Sequence, residues 1–573
     1  MFATAAIVAA IGSFNGCLDE LKTPHRYFFW WLGVFVPFFL LALGIIYLGL
    51  PALVGPFWGA GVCILTLLFL VLGAVVHGLR SAERSADFPL GIGSAPLFVI
   101  LALLLVSMGF RGCAGANIWQ ASSKSSLIGS VESRNWQEDL GQVDVRHIRV
   151  VPREMAEYLG NKVLGEADRA LASRFKPGEY AIQHVDGNLY WVAPLEFRDF
   201  RRWSAYSRSP GYIMVSAEDR NQSPQLVTDL EQRYMPSAYF SENLKRHIYQ
   251  AGYTQVRMYD FNYLLDDSFR PFWVVSLSAP SIHYSGQEVV GVLVVCPQTG
   301  AIDEYQMGDV PDWIDRVIPE KIALQYMSWW GSLSQGWWNS VWIADDVVSP
   351  TQVRRGERSS QAAWLVWGKD GEPYWFTGIT STATSDDALV GFLLMNSRTG
   401  ETFEYRLSGA AENAVMEAVN AEVSNYEGFR ATQPILYNIY GRLAWVIPVL
   451  RDNHLRRLAI VDAQDIRVAL GETKSDALER YRDLIGTGDL REDPSPEGQV
   501  VRLQGTVLQV RTDVRAGNQY YLFVVEEKTD KIFSASSVIS PVLPFLEKGD
   551  RVDIEYLETR ELLVPLTSFN RAN

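Results

Sequence analysis

Three long stretches without a single charged side chain constrain this chain more than any other feature. Residues 27–50 read YFFWWLGVFVPFFLLALGIIYLGL, residues 52–76 read ALVGPFWGAGVCILTLLFLVLGAVV, and residues 90–110 read LGIGSAPLFVILALLLVSMGF. At about 1.5 Å per residue, each is long enough to cross a hydrocarbon core roughly 30 Å thick. No water is available there, so the backbone must be helical to satisfy its own polar groups. Residues 1–14 form a fourth uncharged run, shorter, without the basic start of a signal peptide. The expectation is a bundle of three or four transmembrane helices over residues 1–112, with the lipid bilayer as its partner. Phe28, Trp30 and Trp31 fit an aromatic belt at one interface.

Loop charges set the orientation. Residues 15–26 carry Lys22, His25 and Arg26, and residues 77–89 carry His77, Arg80 and Arg84, whereas the connection at Pro51 carries none. The positive-inside rule puts the two charged loops in the cytoplasm. Residues 113–573 then lie outside it, as in a protein of the bacterial inner membrane, although Arg111 opposes the bias. The spans hold no Asp, Glu, Lys or Arg. Proton relays and ion pathways need such groups, so the bundle reads as an anchor or an oligomerisation element. Gly55, Gly59 and Gly61 would let helices approach closely.

The external part contains a repeat. Residues 271–305 read PFWVVSLSAPSIHYSGQEVVGVLVVCPQTGAIDEY, and residues 373–405 read PYWFTGITSTATSDDALVGFLLMNSRTGETFEY. Trp273 matches Trp375, Gly291 matches Gly391, Gly300 matches Gly400, and both copies end in Glu-Tyr. From Gly291 onward the offset is 100 residues without a gap. Two weaker copies follow the same pattern at residues 188–219, around Trp191, and 442–462, around Trp445. β-branched and aromatic residues dominate these runs, as strands require. Polar, helix-compatible stretches at 152–164, 241–251 and 411–423 precede three copies. The unit is thus a helix plus an antiparallel hairpin, and the fold class is α+β. Modules are expected at 113–250, 251–350 and 351–484, the last holding the third and fourth copies.

The runs VGVLVVCPQTGAIDEY and VGFLLMNSRTGETFEY resemble the second strand and turn of PepSY-type modules, whose strand ends in an Asp-x-Thr-Gly-like turn. The Asp of that turn is missing from both copies. The resemblance covers about half of residues 144–470. It implies a binding or scaffolding module, in some family members a modulator of proteases, rather than a catalyst.

Residues 326–342 read YMSWWGSLSQGWWNSVW, placing Trp329, Trp330, Trp337, Trp338 and Trp342 in one loop-like stretch. Such a stretch can stack on sugars, rest at a membrane interface or form a subunit contact. It can equally be a connector whose indoles fill gaps between repeats. Five indoles exceed what one small core needs, which makes the stretch the candidate contact surface.

Residues 485–498 are rich in Gly, Pro and charge and read as a linker. Beyond it, strands are expected at 500–511, 518–526, 530–535, 551–558 and 561–568, with a short apolar helix or turn at 537–547. That order over residues 499–573 resembles an OB-fold barrel. Tyr520, Tyr521 and Phe523 are stacking residues, but acids and bases are balanced there. The whole chain carries a formal charge of −14. Nucleic acid needs a basic groove, so it is not the expected partner.

Catalytic chemistry has no visible carrier. The chain shows no P-loop, GxSxG, HExxH or paired CxxC pattern, and its seven histidines are isolated. Four scattered cysteines, Cys17, Cys63, Cys113 and Cys296, supply neither a disulfide framework nor a zinc site; Cys63 and Cys296 read as small buried hydrophobes. Asp260 with Asp266 and Asp267, and Asp345 with Asp346, read as solvated loop acids. No cofactor, metal or catalytic residue is expected. The sequence points to a membrane-anchored extracytoplasmic scaffold or interaction protein, forming a homo-oligomer and meeting other envelope proteins. The alternatives are an oligomeric channel or transporter component with an external vestibule, and an envelope enzyme or protease regulator.

Overall fold

The computed structural model describes residues 24–51 and 113–571, apart from 168, 284, 356–357, 369–370, 382–387, 486–499, 516–517, 537–539, 541 and 558–562. A few positions within 5–13 and 68–72 are also described. One helix among these residues, Pro24–Gly49, is long and apolar enough to cross a membrane. Within it, the stretch Leu32–Gly49 is only 22% buried, unlike the core helix of a soluble protein. Of the expected three or four spans, this one lies among the described residues. The runs at 52–76 and 90–110 fall almost wholly outside the described residues, as do the side chains of Phe28, Trp30 and Trp31.

The hairpins around the four tryptophans are each the centre of a four-stranded antiparallel meander. The first is Ala181–Val185, Asn188–Phe197, Tyr212–Ser216 and Gln225–Val227. The second is Arg257–Leu265, Pro271–Ile282, Gly286–Val295 and Ile302–Gln306. The third is Trp364–Trp367, Pro373–Ser381, Ala388–Asn396 and Thr402–Ala410. The fourth is Ile435–Ile439, Arg442–Arg451, His454–Asp462 and Val468–Gly471. The second and third meanders thus extend the expected hairpins by an outer strand on each side.

Register establishes that the four units are equivalent. Trp191 pairs with Val215, Trp273 with Val295, Trp375 with Met395 and Trp445 with Val461. In every case the partner immediately precedes the residue that opens the following turn. That residue caps the turn in three units. Ser216 Oγ accepts from the amides of Glu218 and Asp219 at 3.3 and 3.1 Å. Asn396 Oδ1 accepts from Arg398 and Thr399 at 2.9 and 3.0 Å. Asp462 Oδ1 accepts from Gln464 and Asp465, both at 3.0 Å. The second unit has Cys296 there, half-buried rather than a core hydrophobe, with Sγ 3.6 Å from Gln298 Oε1.

The repeated glycines have two separate causes. Gly300 and Gly400 adopt φ of +76° and +84°, the left-handed conformation that costs a side chain energy. In the fourth unit Ile466 takes that place at φ +53°. Gly291 and Gly391 answer a close approach instead: a Cβ would lie 2.2 Å from the Tyr305 carbonyl oxygen, or 2.5 Å from that of Tyr405.

Helices Arg153–Ala167, Leu244–Gln250 and Glu412–Glu422 lie close to the expected stretches, and a further helix is Glu320–Leu333. The last corrects the loop-like reading of the tryptophan stretch, because Trp329 and Trp330 lie inside it. Its buried residues Ile322, Ala323, Tyr326 and Met327 form one helical face.

The chain divides into two compact units. One contains residues 1–135 and 151–413, and hence the first three meanders; the other contains residues 136–150 and 414–573. In the first, Val131–Arg134 adds a parallel edge strand beside Thr402–Ala410. In the second, the fourth meander is followed by helix Lys474–Ile485 and a closed five-stranded barrel. The barrel strands are Val500–Arg515, Asn518–Val525, Lys528–Ser536, Arg551–Leu557 and Leu563–Arg571. Around the barrel they run first, second, third, fifth, fourth, with the third and fifth parallel. Phe523, Phe533, Tyr556 and Phe569 fill its core. A single 3-10 turn, Leu543–Phe545, stands in the stretch 537–547 where an apolar helix or turn was expected. Of the linker expected at 485–498, Ile485 ends helix Lys474–Ile485 and the rest lies outside the described residues.

Candidate interaction surface

The tryptophan stretch divides into a root and a tip. At the root, Trp329 and Trp330 are half-buried near the end of helix Glu320–Leu333. The neighbouring helix Asn117–Ser125 contributes Lys124, a cation only 3% exposed. Its ammonium donates to the Gly115 carbonyl and to Asn117 Oδ1, both at 2.7 Å, and lies 5.1 Å from the Trp329 ring centroid. Burial lowers its pKa. Two oxygens and a π face replace the water that this charge loses.

The tip is a turn of π-helix, Asn339–Ile343, closed by Ala344 at φ +55°. Asn339 clasps it from within: Nδ2 donates to the Asp345 carbonyl at 2.7 Å, and Oδ1 accepts from the Asp345 amide at 3.3 Å. The clasp turns four apolar side chains outward. Trp338, Val341, Trp342 and Ile343 are 61%, 56%, 74% and 73% exposed. Trp337 backs Trp338 edge-on at 4.8 Å, and Trp338 meets Trp342 at 6.3 Å. On helix Asn117–Ser125, Trp119 is exposed to a similar degree. Of the five indoles singled out from sequence, Trp338 and Trp342 therefore form the surface and Trp337 backs it, while Trp329 and Trp330 stay half-buried at the root.

The repeat-marking tryptophans are structural. Trp191 donates its indole N–H to the Val151 carbonyl at 2.9 Å, and Trp375 donates to the Ile318 carbonyl at 2.8 Å. Each acceptor sits two residues before a helix, in matching sequences: RVVP at 149–152 and RVIP at 316–319. These matching runs are a second repeat signal, carried by the sequence outside the hairpins. Trp273 is equally buried, yet its N–H has no acceptor.

Segment 310–320 gathers a cluster of buried charge. The Asp315 carboxylate accepts from the His184 amide at 3.0 Å. Burial pushes Asp315 up to about 7, against the hydrogen bond from the His184 amide and the pull of Arg316 and Arg398. The largely buried Arg316 guanidinium donates to Asn262 Oδ1 at 3.3 Å and lies over the Trp375 ring. Burial lowers its pKa, and nearby Asp260 opposes that. Burial also raises the pKa of Asp260. These groups come from all three meanders of the first unit; the His184 amide and one Arg316 N–H are spent on protein acceptors, while Arg316 Nε and Asn262 Nδ2 are buried without one, and the cluster is an internal tie.

Among the acids read as solvated loop residues, Asp345 and Asp346 are exposed. Asp266 is not: it is 7% exposed and accepts from the amides of Ser268 and Arg270, both at 2.9 Å, and from Arg270 Nε at 2.8 Å. Asp260 is half-buried, and Asp267 is exposed as expected. Among the described residues no three His, Cys, Asp or Glu side chains converge as metal ligands.

No protein-family model matches the chain, and no curated protein matches it. Among solved structures, a mutant of the Synechocystis apocarotenoid oxygenase aligns over 52% of this chain and 50% of that one. The identity is 10% and the TM-score 0.12, too low to bear on fold or activity.

Proposed function

We propose that this protein is a membrane-anchored extracytoplasmic interaction protein that self-associates through the Trp338–Ile343 tip. The carrying observation is the outward display of four large apolar side chains by a turn that the Asn339 side chain clasps. Covering the two indoles alone hides on the order of 300 Å² of apolar surface, roughly 7 kcal/mol before association costs. Those costs run from about 4 to 15 kcal/mol, so Val341 and Ile343 are needed for a net gain. The repeated meanders and internal charge tie give the tip a rigid base. The closed five-stranded barrel supports the OB-like reading, and the turn-opening caps, Asp462 among them, support the PepSY-like one. Both likenesses favour binding over catalysis.

Sidedness rests on helix Pro24–Gly49. Its C-terminal end meets the first unit: the Tyr249 hydroxyl donates to the Pro51 carbonyl at 2.8 Å, and Arg246 Nε donates to the Tyr47 carbonyl at 3.3 Å. Lys22, His25 and Arg26 lie at the other end. The positive-inside rule then favours an extracytoplasmic location for the first unit, in a bacterial inner membrane. Mass measurement on detergent-purified protein tests the reading. Oligomers that dissociate when Trp338 and Trp342 are replaced by Ser support it; a monomer at micromolar concentration overturns it.

A further inference from the structure

We infer that a basic aromatic shelf beside the end of helix Pro24–Gly49 binds the anionic phospholipid headgroups of the bilayer. The shelf joins two segments distant in sequence. One is residues 198–208, with the short helix Phe200–Tyr206. The other is residues 239–250, with helix Leu244–Gln250. Aromatic contacts lock them together: Phe200 meets Tyr239 at 5.0 Å, and Trp203 meets Phe240 at 5.6 Å. Phe200 and Phe240 are nevertheless 46% and 55% exposed.

The charge is as local as the aromatics. These two segments hold six Arg and Lys against two carboxylates, in a chain whose net charge is −14. Both carboxylates are already engaged. Asp199 pairs with Arg202 at 2.5 Å, and Glu242 pairs with Arg233 at 2.6 Å while accepting from the Trp203 indole at 3.0 Å. Arg208 faces Glu231 at 3.9 Å. Arg198, Arg201 and Lys245 present their charge to solvent.

Position identifies the occupant. Arg246 donates to the Phe240 carbonyl at 2.9 Å and to the Tyr47 carbonyl at 3.3 Å, and its guanidinium lies 4.4 Å from the Tyr47 ring centroid. One side chain thus links the shelf to the last turn of the apolar helix. Beside it an open cleft of about 790 Å³ runs between Leu40, Leu43 and Gly44 on the helix and Tyr249 and Gly252 opposite. Cations and half-exposed aromatics around a helix end are the side chains that settle at headgroup depth.

The inference rests on helix Pro24–Gly49 spanning the membrane, and the experiment separates the two. Full-length protein is reconstituted in nanodiscs of phosphatidylcholine alone or with phosphatidylglycerol. Amide hydrogen exchange is then followed over residues 198–208. Slower exchange only in the anionic discs is expected, and Arg201→Glu with Lys245→Glu should weaken that protection by at least about tenfold. Both positions are exposed, so an unchanged melting profile certifies the fold. Equal exchange in both discs, or protection that survives charge reversal, overturns the inference. Retention of the protein in membranes at alkaline pH is scored separately: extraction would remove the spanning helix, whereas retention without anionic protection removes the shelf alone.

Discussion

The Trp375 indole reaches across to the Ile318 carbonyl at 2.8 Å, tying the third meander to the two residues before helix Glu320–Leu333. Trp191 does the same to Val151. Replacing Trp375 with Phe strands a buried carbonyl, which costs about 1–3 kcal/mol beyond the lost volume. Trp273→Phe removes a similar ring without stranding an acceptor. Thermal unfolding of the two variants is expected to show the larger loss at Trp375; equal losses would mean the hydrogen bond contributes nothing.

At Gly291 and Gly391 any side chain meets backbone. Gly391→Ala or Gly291→Ala is expected to destabilise by roughly 2 kcal/mol or more, because the neighbouring strand must move. Gly308→Ala is the control, since its Cβ would meet nothing within 4 Å. Denaturant titration separates them, and a tolerated Gly391→Ala would show that the strand pair yields.

Ile466 invites the reverse experiment. A β-branched residue at φ +53° carries a strain of roughly 1–2 kcal/mol, and its side chain is 42% exposed, so little packing is lost. Ile466→Gly is expected to stabilise the second unit by up to about 1 kcal/mol after the entropy cost of glycine. A lower melting temperature would show that the Ile side chain contributes more than its backbone costs.

Asp315 makes stability depend on pH. Its folded pKa, about 7, lies above the ordinary aspartate value of 3.8. The native state therefore binds the proton more tightly than the unfolded chain. This contribution is fully present below about pH 4 and is lost as pH rises through about 7. Asp315→Asn, uncharged throughout, should gain on the parent protein as pH goes from 5 to 8. Melting temperatures at both pH values decide it; a gap that stays constant would mean Asp315 is ionised across the range.

Trp338→Ser with Trp342→Ser should cost the fold less than about 0.5 kcal/mol, since both indoles face solvent. The same pair should abolish self-association. A large drop in melting temperature would instead make the tip part of the core.

Much of this fold was legible because its signals are local. Gly300 and Gly400 mark a left-handed turn, Gly291 and Gly391 a close approach, and the hairpin tryptophans a fixed register. Each is a constraint that one residue type satisfies. The helix Glu320–Leu333 was hidden because its tryptophans drew attention from the spacing of Ile322, Tyr326 and Leu333, which is helical. Cys296 appeared apolar because it replaces a polar cap. The Asp315 cluster could not be read at all: its amide donor, His184, is 131 residues away, and only the folded chain brings them together. The tip was half legible. Its composition was visible, but which indoles face outward depends on the Asn339 clasp.

The contacts of Tyr47 and Pro51 with helix Leu244–Gln250 have a mechanical consequence. They grip the end of the apolar helix instead of leaving it on a slack leash. A swivel or tilt of that helix would act as a crank on helix Leu244–Gln250 and on the strand Arg257–Leu265 that follows it.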